Sequence, residues 1–401
     1  MHRTMGAMPD QNLAPPPLAK DDGHAMFAWL REMRDRHPVW RDSNEFWHVF
    51  RDADVRQAAG DPAAFSSDLG GLNPSMARLQ RGTLTRMDPP EHHRLRRLVS
   101  QSFTPRRVTG LAPRIAEITD ELLDETSGSD HFDLVSQLAY PLPVTVIAEL
   151  LGVPVADREM FRRWADQLLS VPRTSVRSAT FAASVEDALR EMDAYLLRHC
   201  LERRQEPRHD LISDLVAAEV EGERLDDQEL VNFSRLLLVA GHITTTLLLG
   251  NAILCLDEWP GAAAELRDDP SLIPAALEEV LRYRSPFPQI GRSTTRPVEV
   301  AGQTIPGNQV VILWLLSANH DERRWADPER FDIHRKLDDQ LAFGHGVHFC
   351  LGAPLARLEG KIAVERLLGR FADIRIASRS DVKYYDSVFG PRSLPVKVRR
   401  A

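Results

Sequence analysis

Phe343-Gly344-His345-Gly346-Val347-His348-Phe349-Cys350-Leu351-Gly352 is the stretch on which the reading of this chain turns. These ten residues hold three glycines, two histidines and one of only three cysteines in the protein. A helical pattern begins directly afterwards and runs from Ala353 to Phe371. Three employments of Cys350 compete. A buried structural thiol is the commonest fate of a free cysteine. A zinc site with His345 and His348 is the second, but the spacing is too tight for a zinc finger and no second ligand pair follows. The third is a thiolate ligand to one large cofactor. That reading gives Gly344, Gly346 and Gly352 a purpose, because glycine lets the backbone turn tightly and approach a flat ligand. It also uses the following helix, whose N-terminal amides and positive dipole end favour thiolate over thiol.

The rest of the chain is that of a soluble globular protein. Its 401 residues are enough for a large core, whether two or three domains or one large α-rich domain. The apolar share of 43% and the charged share of 27% are ordinary. A net charge of −8 argues against nucleic acid or an anionic membrane as partner. Cys200, Cys255 and Cys350 are an odd number without a CxxC pair, which speaks against a disulfide framework and for the reducing cytoplasm. Residues 1–20 lack an apolar run and carry Pro15-Pro16-Pro17, so they read as a mobile tail, with one domain over 21–401.

Periodicity and breakers predict a helix over Ala25–Arg36, a hairpin at Val39-Trp40 and Phe46–Val49, and a helix over Asp52–Ala59. Ser66–Thr83 reads as a long ordered loop. A basic helix follows with Asp88 as N-cap, placing His92 and Arg96 on one face. Further helices are expected at Arg114–Glu125, Val144–Leu151, Glu159–Leu169, Ser184–Arg203 and Leu211–Glu219. The longest spans about Asp227–Trp259, with 21 uncharged residues between Arg235 and Asp257, His242 counted as neutral. At roughly 45 Å it would cross a whole domain, and its Gly, Thr and Asn content favours a buried central helix over a membrane span. Its middle, Ala240–Thr246, combines poor helix formers, and threonine hydroxyls compete for i−4 carbonyls. A packing kink and a ligand-bearing turn are equally good readings there. Ser271–Arg284 is helical and holds Glu279 and Arg282 at i, i+3. A hairpin at Val298–Ile305, a strand at Val310–Leu315, an irregular Trp325–Arg335 and strand-like alternation over Val382–Val398 complete the chain.

Residues 343–352 match Phe-Gly-x-Gly-x-His-x-Cys-x-Gly, the heme-binding signature of the cytochrome P-450 monooxygenases, at every fixed position. Glu279-x-x-Arg282, with Arg335 downstream, is similar to that family's conserved pairing motif, and Ala240–Thr246 resembles its oxygen-activating turn. The likeness covers the chain after the tail. Ala-Gly-His-Ile-Thr-Thr-Thr, Pro286-Phe287-Pro288-Gln289 and the cysteine stretch resemble soluble bacterial members that hydroxylate macrolides such as the erythromycin precursor.

The resemblance implies a mainly α fold with small β-sheets, a triangular helical prism around a buried heme b (iron protoporphyrin IX). Cys350 would ligate the iron, with Phe343, Gly344 and Gly352 beside it. His92, Arg96, Arg292 and His348 match positions that hold the heme propionates, while His345 has no such match. Glu279, Arg282 and Arg335 would be structural. Gly241, Ile243 and Thr244 occupy the oxygen-activating positions, and Ile243 stands where the family usually has an acid. Leu72, Met76, Leu237, Ala240, Pro288, Gln289, Ile290, Val388 and Phe389 would border the substrate. The implied reaction inserts one atom of O2 into a bulky, macrolide-like secondary metabolite, with electrons from a ferredoxin and ferredoxin reductase. Arg97, Arg106, Arg107, Arg357 and Lys361 would receive that donor. Oxidative cyclisation or coupling of a peptide or aromatic metabolite is the alternative, and a non-catalytic heme-binding protein a second.

Overall fold

The computed structural model describes residues 23–70, 83–169 and 179–400. Helix α1 (His24–Arg36) leads into β1 (Val39–Arg41), β2 (Trp47–Val49), α2 (Asp52–Gly60) and β3 (Phe65–Ser66). Then come α3 (Glu91–Ser102), α4 (Pro105–Gly110), α5 (Ala112–Glu125), β4 (His131–Asp133), α6 (Pro141–Leu151), α7 (Arg158–Leu169), α8 (Ala179–Gln205) and α9 (Leu211–Ala217). A short hairpin, β5 (Glu219–Val220) and β6 (Glu223–Arg224), precedes α10 (Asp227–Glu258), α11 (Pro260–Asp268) and α12 (Ile273–Tyr283). The C-terminal part holds β7 (Ile290–Thr294), β8 (Val298–Val300), β9 (Gln303–Ile305), β10 (Val310–Leu313) and α13 (Leu315–Ala318). It ends with α14 (Ala353–Arg370), β11 (Phe371–Ile376), β12 (Lys383–Tyr384), β13 (Pro391–Ser393) and β14 (Pro395–Arg400). The architecture is mainly helical with small sheets.

Helix α10 is the axis of the molecule and packs against α6, α8, α12 and α14. Its start is fixed by a capping box: Asp226 accepts from the Glu229 amide at 2.7 Å, and Glu229 accepts from the Asp226 amide at 3.1 Å. It is long and apolar enough to cross a membrane, but 72% of its most apolar window is buried inside the protein. A helix apolar on every side is a core helix when other helices surround it. The threonine competition expected in its middle is present. Thr244 donates to Ala240 O at 2.8 Å, Thr245 to Gly241 O at 3.5 Å and Thr246 to His242 O at 2.8 Å. The helix nonetheless runs unbroken.

The main sheet has the order β1-β2-β10-β7-β3, with β10 parallel to β2 and the other pairs antiparallel. Its register sets Arg292 of β7 opposite Val311 of β10. A second sheet, β11-β14-β4, joins the two ends of the helical mass. Two expectations need correction. The basic helix begins at Glu91 with Pro90 as N-cap and no side-chain cap. Asp88 instead accepts from the Ser66 hydroxyl and the Ser67 amide, so it ties the preceding loop rather than the helix. Helices α4 and α11 were not anticipated, although each opens with a proline in its first turn, where the missing N–H costs nothing.

Candidate functional site

The cysteine loop is shaped by its glycines. Gly344 (φ +76°) and Gly346 (φ +70°) lie in the left-handed region that other residues avoid. A Cβ on Gly346 would come within 3.1 Å of Ala59 O, so this glycine also seats the loop on the end of α2. Gly352 has an ordinary helical φ and room for a side chain; its part is the amide it presents. The Cys350 amide donates to Phe343 O at 2.9 Å and closes the loop.

Cys350 is exposed, whereas Cys200 and Cys255 are buried, and all three are free. Burial of the surrounding loop pushes the Cys350 thiol up. The amides of Gly352 and Ala353, and the charges of Arg96 and Arg357, act in the opposite direction and favour thiolate. Arg357 lies 4.6 Å from the centre of the Phe343 ring, which fixes that ring beside the loop. His345 turns away, its ring 3.5 Å from where a Gly60 Cβ would be.

A wall of basic groups stands next to the sulfur. His92 of α3 is fully buried, and neither ring nitrogen has a hydrogen-bond partner among the described residues. Burial and the Arg96 and His93 charges lower it to about 4. His348 lies 4.4 Å from His92, ring to ring, and its Nε2 is 2.8 Å from Ser67 Oγ. Burial and the charges of Arg292, His92 and Arg96 lower it to about 3. Arg292 is buried, donates among the described residues only to its neighbour Gly291 O at 2.8 Å, and is lowered to about 10 by burial and by Arg86. Among the described residues, Arg86, Arg96 and Arg292 form no ion pair. The acids near them, Asp68 and Asp88, are engaged by the Gly70 amide and by Ser66 and Ser67. Buried cations and orphaned imidazole nitrogens are costly unless an anion completes them. The wall therefore fits a ligand bearing two carboxylates whose iron meets the Cys350 sulfur, as heme does. Arg86 and Ser67 escaped the sequence reading: Ser67 lies within the Ser66–Thr83 loop and Arg86 just after it, where no periodicity signals them.

The opposite face is a strip of α10. Helix burial is interrupted at Leu236, Val239, Ala240, Gly241 and Thr244, with Ala240 exposed, while Leu237 is 9% exposed. Thr244 and Ala240 thus share an open face, as expected of residues around a bound molecule. Gly241 has a packing duty: a Cβ there would stand 3.0 Å from Ile147 of α6. Ile243 is buried in a cluster with Ala165, Leu247 and Val388, against which Val239 of the strip packs. Its apolar identity suits that cluster. Gln289 and Ile290 are half-buried, and Gln289 Oε1 has no partner. Pro288 is buried, its carbonyl accepting from Leu316 N at 3.0 Å. Phe389 is corrected: its ring packs 5.8 Å from Phe27 and 6.0 Å from Arg284, inside the core rather than on a pocket. Leu72 and Met76 lie outside the described residues.

The paired-charge motif is buried and structural. Arg282 donates to both Glu279 oxygens at 2.7 Å, with both side chains 0% exposed. Arg335 reaches the same carboxylate at 3.2 Å, and Arg282 also holds the carbonyls of Asn319 and Pro328. Asn319 Oδ1 then accepts from the Leu341 amide, so the network supports the segment that enters the cysteine loop.

Comparison with known proteins agrees with this geometry. The family model for Cytochrome P450 matches residues 23–383. Erythromycin C-12 hydroxylase of Saccharopolyspora erythraea is 48% identical over 94% of this chain and 95% of its own. Cyclomarin C epoxidase of Salinispora arenicola is 47% identical over 96% and 98%. The ligand-free structure of cytochrome P450 TbtJ1 superposes with a TM-score of 0.88 at 54% identity, covering 96% of this chain and all of that one.

Proposed function

The chain belongs to the cytochrome P450 family and is a monooxygenase with a heme-iron cofactor, and we propose that its substrate is a bulky, macrolide-like secondary metabolite. The observation that carries the site is the Cys350 sulfur, held by the Gly352 and Ala353 amides beside basic groups that lack acid partners. Heme b, when bound with Cys350 as iron ligand, supplies oxygen binding and transfer of one oxygen atom. Arg96, Arg292, His92 and His348 offer the donors that two propionates require, and Arg86 adds a further charge. We read Phe343, whose ring is held by Arg357 of α14, as the shield of the sulfur. We read Ala240, Leu237, Ile290 and Val388 as the apolar lining of the substrate site, with Gln289 and Thr244 as its polar groups, the pattern expected of a pocket for a large, mostly apolar ligand.

Relatives named as a hydroxylase and an epoxidase favour oxygen insertion over oxidative coupling. Bacterial P450s draw electrons from redox partners, and we read the donor here as a ferredoxin served by its reductase, in the cytoplasm. Arg106 and Lys361 are exposed on the side of the cysteine loop and α14. Arg97, Arg107 and Arg357 pair with Glu221, Asp214 and Glu278, which an acidic partner would have to replace. Residues 21–401 are read as one domain, because the helices surrounding α10 share one continuous core.

A panel of macrolides and cyclic peptides, screened by the shift of the heme absorption band, tests the substrate class. Product mass then separates the reactions: a gain of one oxygen means insertion, a loss of two hydrogens means coupling. Binding of aromatic or peptide metabolites alone would overturn the macrolide-like reading.

A further inference from the structure

The β5–β6 hairpin between α9 and α10 is used neither by the cysteine loop nor by the open strip of α10. Buried Ala218 and Leu225 fix its two ends, while its turn is exposed. The strands are joined by Glu221 (φ +56°) and Gly222 (φ +82°), a two-residue turn in which both positions are left-handed. Such turns favour Asn, Asp or Gly, so a glutamate at the first position is held against its conformational preference. The hairpin carries three acids, Glu219, Glu221 and Glu223, and one base, Arg224. Arg224 is spent within the hairpin: it faces Glu219 in the register and donates to that carboxylate at 2.7 Å. The other two acids reach out to α3, against which β5 packs. Glu221 pairs with Arg97 at 3.4 Å, and Glu223 lies 3.8 Å from Arg94, which also pairs with Glu229 at the start of α10. Arg97 directly follows Arg96, which holds the Val347 and Phe349 carbonyls of the cysteine loop. The hairpin thus lays two carboxylates on the helix that clamps this loop. Arg106 of α4 and Lys361 of α14, on helices that pack together, are exposed and carry no ion pair among the described residues.

We propose that the β5–β6 hairpin is an internal acidic competitor for the face that receives the electron donor. This rests on the reading of that donor as a ferredoxin and adds what the donor must bring. Arg106 and Lys361 are free to meet an acidic protein first. Arg94 and Arg97 are released only when its carboxylates take the places of Glu223 and Glu221. Exposed pairs hold weakly and are screened by salt, so the exchange costs little for a donor whose acids match that spacing. A donor without them meets Glu221 and Glu223 as like charges and is repelled. The hairpin is therefore a filter: it lowers affinity for acidic proteins in general and admits to the cysteine loop those that can replace it.

The test uses the heme-loaded protein and Glu221→Asn/Glu223→Gln, in which asparagine suits the left-handed turn and both charges are gone. Glu299→Gln/Asp381→Asn, at two exposed acids on β8 and ahead of β12, is the control for net charge. The probe is an acidic plant-type ferredoxin, titrated by calorimetry at low salt. The hairpin variant should bind it about fivefold more tightly than the wild type, and the gap should narrow as salt is raised. Transfer of the first electron, followed as formation of the reduced carbon-monoxide complex at limiting ferredoxin, should quicken in proportion. The carbon-monoxide spectrum itself should be that of the wild type. Arg97→Gln should cost ferredoxin binding less than about twofold in the wild type, where Glu221 occupies the guanidinium, and about fivefold in the hairpin variant, where it is free. Equal affinity of the wild type and the hairpin variant, an equal gain in the control, or additive effects of Arg97→Gln overturn the proposal. A ferredoxin that binds neither protein overturns the donor reading, and the proposal with it, while an intact carbon-monoxide spectrum keeps the heme-thiolate reading separate.

Discussion

Arg96 donates a 2.8 Å hydrogen bond to the carbonyl of Phe349, the residue immediately before Cys350. A second bond of 3.3 Å reaches the Val347 carbonyl. One cation on α3 therefore clamps the loop that carries the sulfur, and its charge favours the thiolate. Arg96→Ala should weaken heme binding about tenfold or more, at about 1.4 kcal/mol per decade, and should slow alkylation of Cys350 by raising its thiol pKa. Arg96→Lys keeps the charge without the fork and should fall between the two. Heme titration and the pH profile of alkylation measure both effects.

His92 gives opposite signs with and without heme. Replacement by Phe removes two unpartnered buried nitrogens, so the heme-free protein should gain about 1 kcal/mol, while heme retention falls. The pH dependence follows from the same burial. His92 and His242 are both lowered from 6.5 to about 4. Between those values the unfolded chain binds more protons than the folded one, so stability is lost as pH falls from 6.5 toward 4. Thermal unfolding of the heme-free protein should show that slope, and His92→Phe should flatten it. An unchanged slope in the variant would remove His92 from the account.

Glu279→Gln leaves Arg282 and Arg335 without their shared carboxylate inside the core. Breaking a buried pair costs about 3–5 kcal/mol. Denaturant unfolding should register that loss even without heme, because the network holds protein to protein.

Ile243 and Thr244 separate packing from chemistry. Ile243→Asp would put a charge among Ala165, Leu247 and Val388, at a cost of about 3 kcal/mol, and should not improve coupling. Thr244→Ala removes a hydroxyl from the open strip and should leave stability within about 0.5 kcal/mol while shifting turnover toward peroxide. A Thr244→Ala enzyme as well coupled as the wild type would contradict the role given to this hydroxyl.

Much of this was legible in the residues. The buried central helix α10 and the Glu279-Arg282 pair are seen as the residues suggested, and the cysteine stretch forms the tight, glycine-shaped loop ahead of a helix that its composition implied. What could not be read depends on direction rather than type. Asp88 precedes a helix and looks like its cap, but loop serines claim it. Ile243 stands where the resemblance expects an acid, and its burial among Ala165, Leu247 and Val388 is set by how α10 packs rather than by its type. Phe389 lies in the bend between β12 and β13, and its ring packs inward on Phe27. Arg86 belongs to a stretch with no period, so its inward position follows from chain tracing alone.

The central claim is that Cys350 ligates a heme held by the basic wall of His92, Arg96, Arg292 and His348. The reduced carbon-monoxide difference spectrum of the heme-loaded protein tests it most directly, compared with Cys350→His. The wild type should give the thiolate-ligated band that names the family, and the variant should bind heme with that band lost. A wild-type protein without the band, or a variant that keeps it, would contradict the account.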